Sequence, residues 1–179
     1  MTQLKNILVP TDLSEPSRRA LVYGCWLASE NKASLMVMHV ANEFQSWQLC
    51  SEDLMFIPVG DKWPADRVLS EAGLDLSRFL EPNLAGMRNC RSVSKRVVLG
   101  AVAQQIAAVA EEENADLVIM APSRRSGLRR LLFGSITDQV TRLSPCPVLS
   151  ITEPLPSQPW RGKLFPDFPR WPRPKIAAI

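Results

Sequence analysis

Short apolar runs recur along this chain with an amphipathic stretch after most of them, and that alternation restricts its possible folds more than any other feature. "KNILVPTD" (5–12) carries Ile7, Leu8 and Val9 in succession and ends its apolar run at Pro10. "SLMVMHV" (34–40), "SVSKRVVLG" (92–100), "ADLVIMAP" (115–122) and "CPVLSIT" (146–152) follow. Unbroken apolar runs of this length suit parallel strands covered on both faces, whereas a half-exposed strand would alternate apolar with polar.

Between them lie helical patterns. "LSEPSRRALVYGCWLASEN" (13–31) places Ala20, Leu21, Gly24, Cys25 and Ala28 on one face, with Ser14 or Asp12 as cap and Pro16 in the first turn, where its missing N–H is not needed. A helix is predicted from near Pro64 to Leu80, with Val68, Leu69, Ala72, Leu76, Phe79 and Leu80 as its core stripe. "AVAQQIAAVAEEEN" (101–114) turns Val102, Ile106, Val109 and Ala110 inward and leaves its acidic end in water. "GSITDQVTRLS" (134–144) turns Ile136, Val140 and Leu143 inward, with Ser135 as N-cap. Residues 42–62 show no period. The pattern predicts an α/β fold: a five-stranded parallel sheet with helices on both faces and right-handed crossovers. In such sheets ligands bind beyond the carboxyl ends of the strands, where strand order reverses. "PTD" after the first strand, "HVAN" after the second and the loop after the fourth should therefore line a crevice.

That last loop, "MAPSRRSGLRRLLFGS" (120–135), is unusual. It ends in Gly134-Ser135, which opens a helix whose unpaired N–H groups and dipole favour an anion. It also carries Arg124, Arg125, Arg129 and Arg130 with no acid among them. A guanidinium binds phosphate in a bidentate fork, so these cations read either as anion ligands or as a solvated basic loop. Ser135 likewise reads as a phosphate contact or as a plain cap.

Other chemistries find little support. The four cysteines at 25, 50, 90 and 146 have no C-x-x-C spacing and one histidine to join them, so no metal and no disulfide framework is predicted. Cys25 and Cys146 fall in apolar patterns. The formal charge of +3 resides entirely in 153–179, which hold five Lys/Arg against two acids; the body is neutral and no nucleic-acid partner is expected. No apolar run is long enough to cross a bilayer, and the start has no signal-peptide form, so the expected location is cytoplasmic. His39 ends the second strand with no nucleophile or metal partner in the pattern and reads as structural. No catalytic residues are assigned; slow hydrolysis as a by-product of ligand binding is left open.

With these pieces in place, "ILVPTDLSEPSRRAL", "ADLVIMA" with its Ser-Gly-Leu-bearing loop, and "LLFGSITDQVTRLSPCPVLSI" together resemble the universal stress protein family over about residues 3–152. The resemblance implies the strand order 3-2-1-4-5 and a homodimer, often along the edge of the last strand. It also implies binding of ATP or a related adenine nucleotide by an aspartate ending the first strand and a G-x-x-G-x9-G-[ST] loop after the fourth. Carried over, the aspartate is Asp12 and the closing pair is Gly134-Ser135, while the first two glycines fall on Ala121 and Arg124. A glycine there lets backbone approach polyphosphate; a side chain occupies the space. Arg124 must leave the phosphate channel or fill it, and the nucleotide reading expects the guanidinium groups turned toward a cavity beside Asp12. Pro10, Val40, Met120 and Ile136 match positions bordering the nucleotide and could equally be core. Asp12 could also serve only to start the first helix.

The segment 153–179 has seven prolines and no periodicity, and reads as an appendage to a 1–152 domain. Trp160, Phe165, Phe168 and Trp171 among its prolines and cations suit docking into a groove on the dimer mate or another protein; a tail draped on its own domain or disordered is the other reading. Two functions fit: a dimeric, regulatory nucleotide-binding protein with an altered loop, or a dimeric interaction protein of the same fold that binds no nucleotide.

Overall fold

The computed structural model describes residues 4–41, 65–122 and 136–151. Its elements are β1 (Asn6–Thr11), α1 (Glu15–Asn31), β2 (Ser34–Ala41), α2 (Ala65–Leu80), a 3-10 turn (Glu81–Asn83), α3 (Leu84–Met87), β3 (Ser92–Leu99), α4 (Val102–Glu112), β4 (Leu117–Met120), α5 (Ile136–Leu143) and β5 (Val148–Ser150). The strands form one parallel sheet in the order β3-β2-β1-β4-β5, as the resemblance implies.

Alternation along the strands divides the core. Ile7, Val9, Leu35, Val37 and Ile119 point to one face, where α1 contributes Ala20, Leu21, Cys25 and Ala28 and α2 contributes Leu76, Phe79 and Leu80. Leu8, Met38, Val40, Val118 and Met120 point to the other, beneath Ala103, Ile106, Val109 and Ala110 of α4 and Val140 of α5. Side chains at successive strand positions serve opposite layers, so continuous apolar runs are what a doubly covered sheet demands.

Pro10 does not end β1 but lies within it, in register with Met38. Main-chain groups of Lys5 bond toward β2 (Ser34 N to Lys5 O, 2.7 Å) and those of Asn6 toward β4 (Asp116 N to Asn6 O, 2.8 Å). Even positions of β1 therefore face β4, whose pairing with β1 stops at Leu8 and Val118. Pro10 is the next even position, so its missing N–H costs the ladder its next bond toward β4, while the pairing of β1 with β2, made by odd positions, continues to Thr11.

Three other expectations change. Leu143 is half exposed, and Thr137 takes the inward place beside Val140; the 137/140 pair is one turn apart and faces α4. In α4, Ala103 is buried and Val102 only partly so. The acidic end of α4 is also engaged: Glu112 and Glu113 grip Arg96 of edge strand β3, at 2.7 and 3.3 Å. Such exposed pairs contribute about 0–1 kcal/mol. Asp116 draws the start of the sheet together, accepting the main-chain N–H groups of Lys5 (2.7 Å) and Asn6 (2.9 Å).

Gly73 is an unforced weakness of α2, since a methyl group added there meets nothing within 4 Å. Gly73→Ala is expected to raise the unfolding free energy by about 1 kcal/mol, seen as a higher urea midpoint at unchanged slope.

Candidate functional site

The strand order reverses between β1 and β4: the chain leaves β1 through α1 toward β2, and leaves β4 toward β5 on the other side. The carboxyl ends of these two strands are the ligand-binding place of an open α/β sheet. Asp12 follows the first and Ala121 the second.

Around that point Val40 and Met120, both buried, belong to the α4/α5 side of the core, and Ile136 at the start of α5 packs against the same cluster. Pro10 has the same strand parity as Leu8 and pairs with Met38, so it shares that face. Four of the apolar residues expected from the sequence therefore gather on one face at one rim. Ala121 packs instead against the α1 side, so its methyl lies on the layer opposite Val40 and Met120. Arg124, Gly134 and Ser135 lie outside the described residues, as do the other loop arginines, residues 42–62 and the tail.

The turn from β1 into α1 is held by a polar network whose proton directions can be worked out. Ser14 is the N-cap of α1, its hydroxyl accepting from Ser17 N at 3.4 Å. Ser17 donates its own hydroxyl proton to the Ser14 carbonyl (2.8 Å). The 2.8 Å contact between Thr11 Oγ1 and Ser17 Oγ must then be donated by Thr11, which in turn accepts from Leu13 N at 3.0 Å. Leu13 itself is left-handed, at φ 62°, a conformation that costs a non-glycine residue about 1–2 kcal/mol. Asp12 sits inside this turn, with Oδ1 accepting from Ser14 N (3.1 Å) and from the Ser14 hydroxyl. Its carboxylate is thus oriented by the helix cap, as the helix-start reading of Asp12 expects. Capping residues are expected from sequence; that Ser14 caps the helix and steers Asp12 at the same time is not.

Thr137 is the residue the sequence reading passed over. It is 9% exposed and its hydroxyl has no hydrogen-bond partner among the described residues. A buried hydroxyl without a partner costs about 1–3 kcal/mol and calls for an explanation. It stands in the first turn of α5, where main-chain N–H groups have no partner within the helix. The signal available in sequence was a polar residue three positions before Val140, on the inward stripe.

Among the described residues, no group of three or more His, Cys, Asp or Glu side chains converges to hold a metal, and no helix is long and apolar enough to cross a membrane.

Comparison with known proteins agrees with this architecture. Residues 3–54 and 63–151 match the family model of the Universal stress protein family. A universal stress protein of Methanocaldococcus jannaschii is 27% identical over 158 residues, covering 84% of this chain and 83% of that one. Universal stress protein YxiE of Bacillus subtilis is 27% identical over 147 residues, covering 81% and 97%. Among solved structures, a universal stress protein in complex with cAMP superposes with a TM-score of 0.62 at 22% identity, over 84% of this chain and 98% of that one. One from Archaeoglobus fulgidus in complex with dAMP gives 0.56 at 18%, over 84% and 99%. These two likenesses are of fold. Strand order, the turn after β1 and a family match running through both ends of the sheet lead to one conclusion: the chain belongs to the universal stress protein family.

Proposed function

We propose that this protein binds ATP or a related adenine nucleotide at the β1/β4 rim, in the cytoplasm, as a homodimer whose partners change with occupancy, and that it is a binding protein and not a dedicated catalyst. The observation that carries the reading is Asp12, its carboxylate held by Ser14 at the strand-order reversal, beside an apolar face formed by Pro10, Val40, Met120 and Ile136. An apolar wall with a few oriented polar groups is what a planar base and its sugar require. The residues fit the group in a second respect: the main-chain N–H groups of the first turn of α5 would donate to phosphate oxygens. Bound nucleotide supplies a polyanion; the chain's residues supply the apolar wall, the carboxylate acceptor and the helix N-terminus. That solved relatives carry cAMP and dAMP supports the choice of an adenine ligand.

The loop departs from the family's glycines at Ala121 and Arg124, and titration calorimetry of the full chain with ATP, AMP and cAMP decides what that departure does. Native protein is expected to release heat with at least one of them, and Asp12→Ala to weaken it at least about tenfold, the effect of losing one hydrogen-bonded acceptor. Heat only after Arg124→Gly would place the native chain with the dimeric interaction proteins that bind no nucleotide. In this reading the dimer forms along β5, the outermost strand on its side among the described residues, and the Pro-rich tail docks in a groove on the mate or another protein. Truncation after Thr152 with unchanged mass in sedimentation and unchanged partner capture would remove the tail from that role.

A further inference from the structure

We propose that His39 is a positioning residue for the Asp12 turn: from the opposite face of the sheet it fixes where β1 ends and so sets the carboxylate that the nucleotide reading uses, a reading on which this inference rests. His39 is 5% exposed and pairs in register with Thr11. Its neighbour Val40 lies on the α4/α5 side of the core, so by strand alternation His39 points to the α1 side with Thr11 and does not share the apolar wall. Its Nδ1 lies 2.8 Å from the carbonyl oxygen of Thr11. A carbonyl only accepts, so Nδ1 carries the proton, which fixes the tautomer whenever the ring is neutral.

This bond matters because Thr11 leads straight into the site. Asp12 comes next, then the left-handed Leu13, which the turn holds at a cost. On the α1 side the strain is contained by the chain of bonds from Leu13 N through Thr11 Oγ1 and Ser17 Oγ to the Ser14 carbonyl. Those bonds hold Thr11 by its side chain, while its pairing with β2, reinforced at the carbonyl by the His39 ring, holds it by its main chain. The residue before Asp12 is thereby gripped twice, from α1 and from β2, and the residue after it once. Asp12 is left little freedom to swing away from the rim. A histidine with no catalytic partner, which the sequence reads as merely structural, thus acts on the site through Thr11.

The test uses the full-length protein and two substitutions. His39→Leu keeps bulk and removes the donor; His39→Asn retains an amide nitrogen close to the place of Nδ1. Expected are an ATP affinity about tenfold weaker for His39→Leu, measured well below its unfolding temperature, and recovery to within about threefold of wild type for His39→Asn. Equal ATP affinity in wild type and a folded His39→Leu overturns the inference and leaves the nucleotide reading intact, as does a loss that His39→Asn fails to recover. Should wild type bind no nucleotide, the nucleotide reading fails, and the positioning claim is decided without ligand. Long-range 15N–1H spectra of the imidazole are expected to show the proton on Nδ1, and the Leu13 and Ser14 amides to exchange about tenfold faster in His39→Leu. A proton on Nε2 alone, or unchanged exchange, overturns it.

Discussion

Gly24→Val is expected to lower the free energy of unfolding by about 3 kcal/mol, and Gly24→Ala by about 1 kcal/mol, the sum of an overpacking cost and a smaller gain in helix propensity. The cause is the closeness of α1 to the sheet. A Cβ on Gly24 would sit 2.7 Å from Val9 Cγ2, 3.5 Å from Leu35 Cδ1 and 3.8 Å from Ile119 Cδ1, side chains of three neighbouring strands. Val9 is fully buried in the central strand, and a β-branched side chain has one favoured rotamer to offer and little room to leave it. The helix must lift or the strand must shift, and either opens contacts along a whole layer. Urea unfolding checks the values. Val9→Ala, which removes the obstructing methyl, should cancel most of the Gly24→Ala loss in a double-mutant cycle, the signature of two residues in direct contact. A Gly24→Val protein as stable as wild type would show that α1 does not lie this close.

The second large effect is on alkaline stability and comes from Cys25. Burial, with the nearby Cys90 adding to it, pushes the Cys25 thiol from its ordinary 9.0 up to about 12. Burial also raises Cys90, which sits over the same stretch of α1, its thiol 3.8 Å from the Cys25 carbonyl. For a thiol the neutral form is the protonated one, so a raised folded value means the folded state holds its proton more tightly than the unfolded chain. Stability from this source is complete below about pH 9 and is lost as pH rises from 9 toward 12, by roughly 4 kcal/mol in full. Other groups also ionise in alkaline solution, so the measurement is a difference. Wild type and Cys25→Ala, unfolded in urea at about pH 7, 9 and 10.5, should converge as pH rises, because the variant has no thiol to ionise. Parallel curves would show that Cys25 meets solvent. The same physics predicts that a thiol-specific disulfide reagent labels Cys25 only as the chain unfolds.

The stripe of α1, Ala20, Leu21, Gly24, Cys25 and Ala28, is buried as its spacing predicts, because a helix on a sheet can hide only residues three and four apart. The runs of β1, β2 and β4 are strands for the parallel reason, since a sheet covered on both sides must be apolar at successive positions, whereas edge strand β3 leaves Ser92 to Lys95 exposed. Less of the site was legible. Asp12, Val40 and Met120 could be placed at strand ends by counting, but which layer each side chain serves depends on parity within strands whose first and last residues the sequence leaves loose. Pro10 shows the limit: proline reads as a stop, yet β1 runs through it to Thr11 because the pairing with β2 is kept and only the bond toward β4 is given up. The orphaned hydroxyl of Thr137 and the reach of His39 to Thr11 depend on residues distant in sequence too.

The sequence by itself thus determined the alternation of strand and helix, the inward face of α1, four of the six stripe residues of α2 (Val68, Leu76, Phe79 and Leu80, with Leu69 and Ala72 only partly buried) and the order of strand ends along the chain, because these follow from local periodicity and the demand that apolar groups leave water. Only the tertiary structure decided that Gly24 is a point of contact between helix and sheet, that Cys90 lies against α1 beside Cys25, and that His39 and Ser14 together hold the turn carrying Asp12. Each of those joins residues from separate elements, and an interaction between distant residues becomes definite when the chain has closed the loop between them.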